Sequence, residues 1–154
     1  MKHMQSRSAL SIVEVLVVIA VVAVLAALAA TLVSRRSAHR DAAALSRALT
    51  STRWLAVTTG APSSLFAQGD VVHRSVGVPL RCDSPPNGGE PAWTATGPLT
   101  LTWPTAGLAF GPDGRALRCD GSAVGNATII LTGRDGSRAA VIVASLGRVR
   151  WERR

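Results

Sequence analysis

The stretch SIVEVLVVIAVVAVLAALAATLV, residues 11–33, holds a single charged side chain, Glu14. From Val15 to Val33 there are 19 residues without a charge, enough to cross the hydrocarbon core of a bilayer as one helix. A short basic leader, MKHMQSRSA, precedes the run with Lys2 and Arg7, and Arg35 and Arg36 follow it. A cleaved secretory signal has a shorter apolar core with small residues after it, whereas Ser8 and Ala9 come before this one. Positive charge on both flanks leaves the orientation open. A carboxylate inside such a span is costly, so Glu14 calls for a partner.

Outward from this run, glycine and proline divide the chain. Residues 1–59 contain neither, and all 14 Gly and 8 Pro follow from Gly60 onward. Both residues punctuate structure, so the first part reads as one uninterrupted helix to about Val57 and the rest as strands and turns. Beyond the span the helix turns amphipathic. Ala42, Leu45, Leu49, Thr52 and Ala56 recur every three or four positions, with Arg40, Asp41, Arg47 and Arg53 mostly elsewhere. LTLTW (99–103), ATIILTG (127–133), AAVIVA (139–144) and RVRW (148–151) have strand composition. GRDGSR (133–138) reads as the hairpin turn between two of them, and DSPPNGGEP (83–91) as a turn-rich loop. The stretch from 61 to 98 carries no recognisable motif and reads as loops. The expected class is α+β, with a long N-terminal helix, membrane-spanning in its first half and amphipathic in its second, packed on a C-terminal antiparallel sheet domain.

The 154 residues carry 17 Lys+Arg against 9 Asp+Glu, a net charge of +8, and every basic residue but Lys2 is arginine. Arginine suits phosphates and carboxylates, so an anionic partner is one reading and solvated surface charge is the other. The two cysteines, Cys82 and Cys119, are too far apart in sequence for a metal-site pattern. Outside the cytoplasm they would form one disulfide; the alternative is two free, partly buried thiols. His3, His39 and His73 are scattered, and no nucleophile motif, phosphate loop or ligand cluster accompanies them. The expectation is a chain that is not an enzyme and holds no metal or cofactor.

SALSIVEVLVVIAVVAVLAAL, residues 8–28, resembles the class III signal of type IV pilins and type II secretion pseudopilins. The resemblance implies that a prepilin peptidase cuts between Ala9 and Leu10 and methylates the new N-terminus at Leu10. It makes Glu14 the fifth residue of the mature chain, paired in a filament with a neighbouring subunit's terminal amine. Such a pair removes two unpaired charges and sets subunit register. The sequence departs from the family in having Ala9 where glycine is usual and Leu10 where phenylalanine is usual. LAFGPDGRA (108–116), followed by a hydrophobic strand pair and GRVRW (147–151), is similar to the globular domain of the GspH/FimT minor pseudopilins. The implied organisation is a leader over 1–9, a membrane and filament-core helix over 10–33, its amphipathic continuation over 34–59, and a β-rich domain over 60–154. The implied location is the bacterial inner membrane, single-pass, with the globular domain periplasmic. Its partners would be other pilin or pseudopilin subunits and the prepilin peptidase.

From Gly133 to Arg154 six arginines face only Asp135 and Glu152, a balance of +4. Arg148 and Arg150 are two apart, so a strand would point both to one face, with Trp151 turned the other way toward the core. With Arg134 and Arg138 in the hairpin, they would form a patch that tracks phosphates. In the FimT-like branch a G-R-x-R motif at this place is associated with DNA binding, and Gly147, Arg148 and Arg150 match it. The resemblance therefore implies a double-stranded DNA partner. The other reading is a purely structural subunit whose arginines are solvated or contact acidic neighbours.

Overall fold

The computed structural model describes residues 12–34, 37–77, 89–97, 99–103 and 107–154. The chain divides into two compact units, Met1–Ser34 and Arg35–Arg154.

The first unit contains helix α1, Ile12–Ser34. Its 23 residues span about 34 Å at the α-helical rise, slightly more than a bilayer core. The window Ile12–Ala29 has a mean hydropathy of 3.1, and none of it is buried. Such a helix has no polar side on which to meet water. Closing its own backbone hydrogen bonds suits it to lipid, where valines that weaken helices in water are tolerated. Glu14 lies in its first turn with an exposed side chain. Ala9 and Leu10 lie outside the described residues. So do residues 35 and 36, on which the reading of one continuous helix turns.

The second unit opens with α2, Ser37–Thr59. Ala42, Leu45, Leu49, Thr52 and Ala56 are all fully buried, as the spacing predicted. Asp41 departs from that pattern. It is fully buried as well, and its carboxylate accepts the Thr96 N–H at 3.2 Å and the Thr96 hydroxyl at 3.0 Å. These bonds replace the water that a buried carboxylate loses. Gly60 ends the helix at φ 65°, a left-handed cap that glycine adopts without strain.

Two antiparallel sheets pack against α2. One has β1 (Ser63–Gln68), β2 (Val71–Val76), β3 (Glu90–Thr94), β5 (Gly107–Phe110) and β6 (Ala116–Leu117), in the order β3-β2-β1-β5-β6. The other has β4 (Leu99–Thr102), β7 (Asn126–Gly133), β8 (Arg138–Ala144) and β9 (Val149–Arg153), in the order β4-β7-β8-β9. The core joins Leu45 and Leu49 of the helix to Leu65, Leu108 and Phe110 of the first sheet and to Ile129, Leu131, Val141 and Val143 of the second.

The expected strands over 99–103, 127–133, 139–144 and 148–151 correspond to β4, β7, β8 and β9. The loops expected over 61–98 are replaced in part by β1, β2 and β3. β1 and β2 form a hairpin closed by Gly69-Asp70, in which Gln68 faces Val71 and only Gly69 has a positive φ, 60°. That is the pattern of a type II′ turn. The turn-rich stretch 83–91 reaches into β3 at Glu90 and Pro91, and its residues 83–88 lie outside the described ones. Pro91 is tolerated because β3 is an edge strand.

One turn geometry recurs four times in the second unit. At Gly111–Arg115, Arg118–Ser122, Gly133–Ser137 and Ala144–Arg148, the first N–H donates to the fifth carbonyl at 2.8–2.9 Å. In each, the fourth residue is a glycine with φ between 76° and 82°: Gly114, Gly121, Gly136 and Gly147. This is the three-residue hairpin loop, a type I turn closed by one left-handed residue.

Candidate functional site

Along β8, Ala139, Val141 and Val143 face the core, so Arg138, Ala140, Ile142 and Ala144 face away from α2. The register sets Arg150 opposite Ile142, and the Ala144 N–H donates to the Arg148 carbonyl at 2.9 Å. Arg148 and Arg150 therefore emerge on the same outer face, one row apart. They line an open groove of about 330 Å³ with Asn126, Thr128, Ile142 and Ala144. Both arginines are exposed, and neither has an ion-pair partner among the described residues. Glu152, farther along β9, is taken by Arg154 at 3.7 Å. The groove thus offers two unopposed cations, an amide and a hydroxyl above an aliphatic floor. That is a donor set for anions.

The other two expected arginines sit elsewhere. Arg138 shares the outer face, but it pairs with Thr132 at the opposite end of the sheet. It lies about 14 Å along the strand from the row of Arg150, counting four residues of strand rise. Arg134, in the turn, lines a second groove of about 270 Å³ with Asp70, Leu99, Thr100, Thr132 and Gly133. The hairpin expected beside Arg148 is thus the Ser145–Gly147 turn, and the 133–138 hairpin closes the far end. Asn126 and Thr128 were missed by sequence reasoning. Their alternation with the buried Ala127 and Ile129 was the available signal.

Gly147 carries no side chain to offer a ligand, and its place in the fold explains its identity. It is buried at φ 77°, and a methyl group there would drive into the Gly114 carbonyl oxygen and approach Arg53 Nε to 2.8 Å. Trp151 does turn toward α2, where its ring centroid lies 6.4 Å from that of His39, but it is 38% exposed rather than core. β9 is an edge strand, and the helix covers only part of it.

Cys119, in the turn after β6, is disulfide-bonded, and its expected partner Cys82 lies outside the described residues. His73 stacks on Phe66 and approaches the Gly89 carbonyl oxygen at 3.2 Å. Among the described residues no group of three or more His, Cys, Asp or Glu side chains could hold a metal ion.

No protein-family model matches the sequence, and neither does any curated protein sequence. Solved structures do match. The type IV minor pilin FimU of Pseudomonas aeruginosa aligns at 19% identity with a TM-score of 0.55, covering 77% of this chain and 90% of that one. A second crystal form of FimU aligns at 20% identity and 0.53. The minor pseudopilin EpsH of the Vibrio cholerae type 2 secretion system aligns at 14% identity and 0.54, covering 76% of this chain and 97% of that one. At these identities the likeness speaks for the fold: an N-terminal apolar helix, a second helix and antiparallel sheets, the α+β architecture shared with minor pilins and pseudopilins.

Proposed function

We propose that this chain is a non-catalytic minor pilin or pseudopilin subunit of a type IV pilus or type II secretion system. The observation that carries the reading is the pairing of an apolar helix with nothing buried from Ile12 to Ala29, bearing Glu14 in its first turn, with a minor-pilin fold. In this reading the prepilin peptidase removes residues 1–9, leaving Leu10 as the methylated terminus. α1 anchors the chain in the inner membrane with the globular unit on the periplasmic side, then joins the filament core. There Glu14 meets the terminal amine of a neighbouring subunit, so two charges that lipid disfavours neutralise each other and fix the axial step.

A specific observation favours a further role for the globular unit. Arg148 and Arg150 are unopposed and share a groove with Asn126 and Thr128, a set that suits the phosphates of double-stranded DNA. Contact of this kind positions the duplex without reading its bases. The test is a mobility shift with the full chain in detergent, at rising salt, on two duplexes of unrelated sequence. Similar, salt-sensitive affinities support the DNA role. No shift at low salt leaves the subunit role alone, with the arginines solvated or facing acidic neighbours.

A further inference from the structure

The four recurrent turns differ in what holds them. In three of them the middle residue is aspartate, and its carboxylate accepts the N–H two residues on: Asp113 from Arg115 at 3.1 Å, Asp120 from Ser122 at 2.8 Å, Asp135 from Ser137 at 3.0 Å. At Asp120 the Ser122 hydroxyl and N–H hold the carboxyl below its ordinary pKa, a sign that the cap favours the charged form. The fourth turn has Leu146 in the aspartate's place, 67% exposed. No carboxylate closes it from within.

This turn is held from outside. The Ser145 carbonyl accepts the Ala116 N–H at 3.0 Å. Gly147 lies so close to the Gly114 carbonyl oxygen that no side chain fits between them. Arg53, reaching from α2, donates its Nε–H to that same oxygen at 3.0 Å. The next residue after Gly147 is Arg148, which leaves the turn onto the opposite face of the sheet and into the groove.

We infer that Arg53 is a positioning residue for the anion groove. Through the Gly114 carbonyl it seats the Ser145–Gly147 turn, and the seated turn fixes where the Arg148 guanidinium emerges. Arg53 itself lies on the helix side and touches no ligand in the groove. The G-R pair at 147–148 thus combines a packing requirement with a binding group: the glycine docks the turn and the arginine meets the phosphate. The inference rests on the reading of the groove as a DNA contact, and its test separates the two.

Two measurements on the full chain in detergent decide it, with Arg53→Gln as the variant and Arg47→Gln as an exposed control. The first is amide hydrogen exchange. Arg53→Gln should speed exchange of the Gly147 N–H, bonded to Ala144, about tenfold or more, while the Gly136 N–H in the 133–137 turn keeps its rate. The second is a double-mutant cycle on duplex DNA. Arg53→Gln should weaken binding about fivefold alone but less than about twofold on an Arg148→Ala background, because the group it positions is already gone. If Arg53→Gln folds poorly, Arg53→Lys, which keeps the charge and loses the fork geometry, gives the same comparison. An unchanged Gly147 rate, or equal losses in both backgrounds, would overturn the inference. A wild-type chain that ignores DNA would remove the DNA role, and the exchange measurement would still decide whether Arg53 seats the turn.

Discussion

The carboxylate of Asp41, in the first half of α2, and Thr96, 55 positions later in the β3–β4 connection, are joined by hydrogen bonds from both the Thr96 N–H and its hydroxyl. Asp41 is fully buried, so this pair fastens the crossing between the two sheets onto the helix.

Asp41→Ala should therefore destabilise the globular unit by about 1.5–3 kcal/mol, the range for hydrogen bonds to charged groups. Asp41→Asn keeps an accepting oxygen for the Thr96 N–H and places its amide within reach of the Thr96 hydroxyl oxygen, so it should lose less than Asp41→Ala, chiefly the charge-assisted part of the bonds. Chemical denaturation of both variants checks this. An Asp41→Ala midpoint equal to wild type would show that the Thr96 bonds contribute nothing net.

The helix face supplies a second prediction. Leu49→Ala leaves a cavity among fully buried neighbours and should cost about 2–5 kcal/mol. Trp54→Ala on the same helix removes a larger side chain that is 69% exposed, and should stay within about 0.5 kcal/mol. Thermal unfolding followed by far-UV circular dichroism compares the two. A reversed order would mean that α2 packs through its other face.

These helices and the second sheet were legible in the sequence because their periods are long and clean. Ala42 to Ala56 keeps a 3–4 spacing over four turns, and Ala127 to Gly133 alternates buried and half-buried without a break. The first sheet was hidden because its strands are short and mixed with polar residues. SSLFAQ and VVHRSV have no run of alternation, and EPAWT contains a proline that only an edge position allows. Gly69-Asp70 was the one readable signal there. For the groove, spacing told that Arg148 and Arg150 share a face. It could not tell that Arg138, only ten residues earlier, closes the other end of the sheet, since that depends on register. Asp41 lies four residues before Leu45 on the buried stripe, but Thr96, which pairs with it, is a loop residue that no periodicity marks.

The proposed Cys82–Cys119 bridge closes a loop of 37 residues' separation, worth about 4 kcal/mol in the chain-entropy account. Thiol labelling of denatured, unreduced protein should find no free cysteine. Reduction should lower the unfolding midpoint. Two labelled thiols per chain would contradict the bridge.

For the groove, Arg148→Ala with Arg150→Ala should flatten the slope of log affinity against log salt by about two units, since two phosphate contacts are lost. Arg47→Ala with Arg118→Ala removes the same charge from two exposed sites away from the groove and should change the slope far less. Duplex titrations at four salt concentrations measure both. Equal changes would indicate diffuse attraction to a basic surface.

The subunit reading itself meets its most direct test at Glu14. In cells that express the prepilin peptidase and the other pilin subunits, the wild-type chain should be recovered in the sheared filament or cross-linked pseudopilus fraction. Mass spectrometry of that fraction should find Leu10 as an N-methylated first residue. Glu14→Ala should still insert in the membrane, because it makes α1 more apolar, yet its share of the filament fraction should fall about tenfold or more with the loss of the neighbour's ionic partner. Recovery of Glu14→Ala at the wild-type level, or a wild-type chain that keeps Met1 in those cells, would contradict the account.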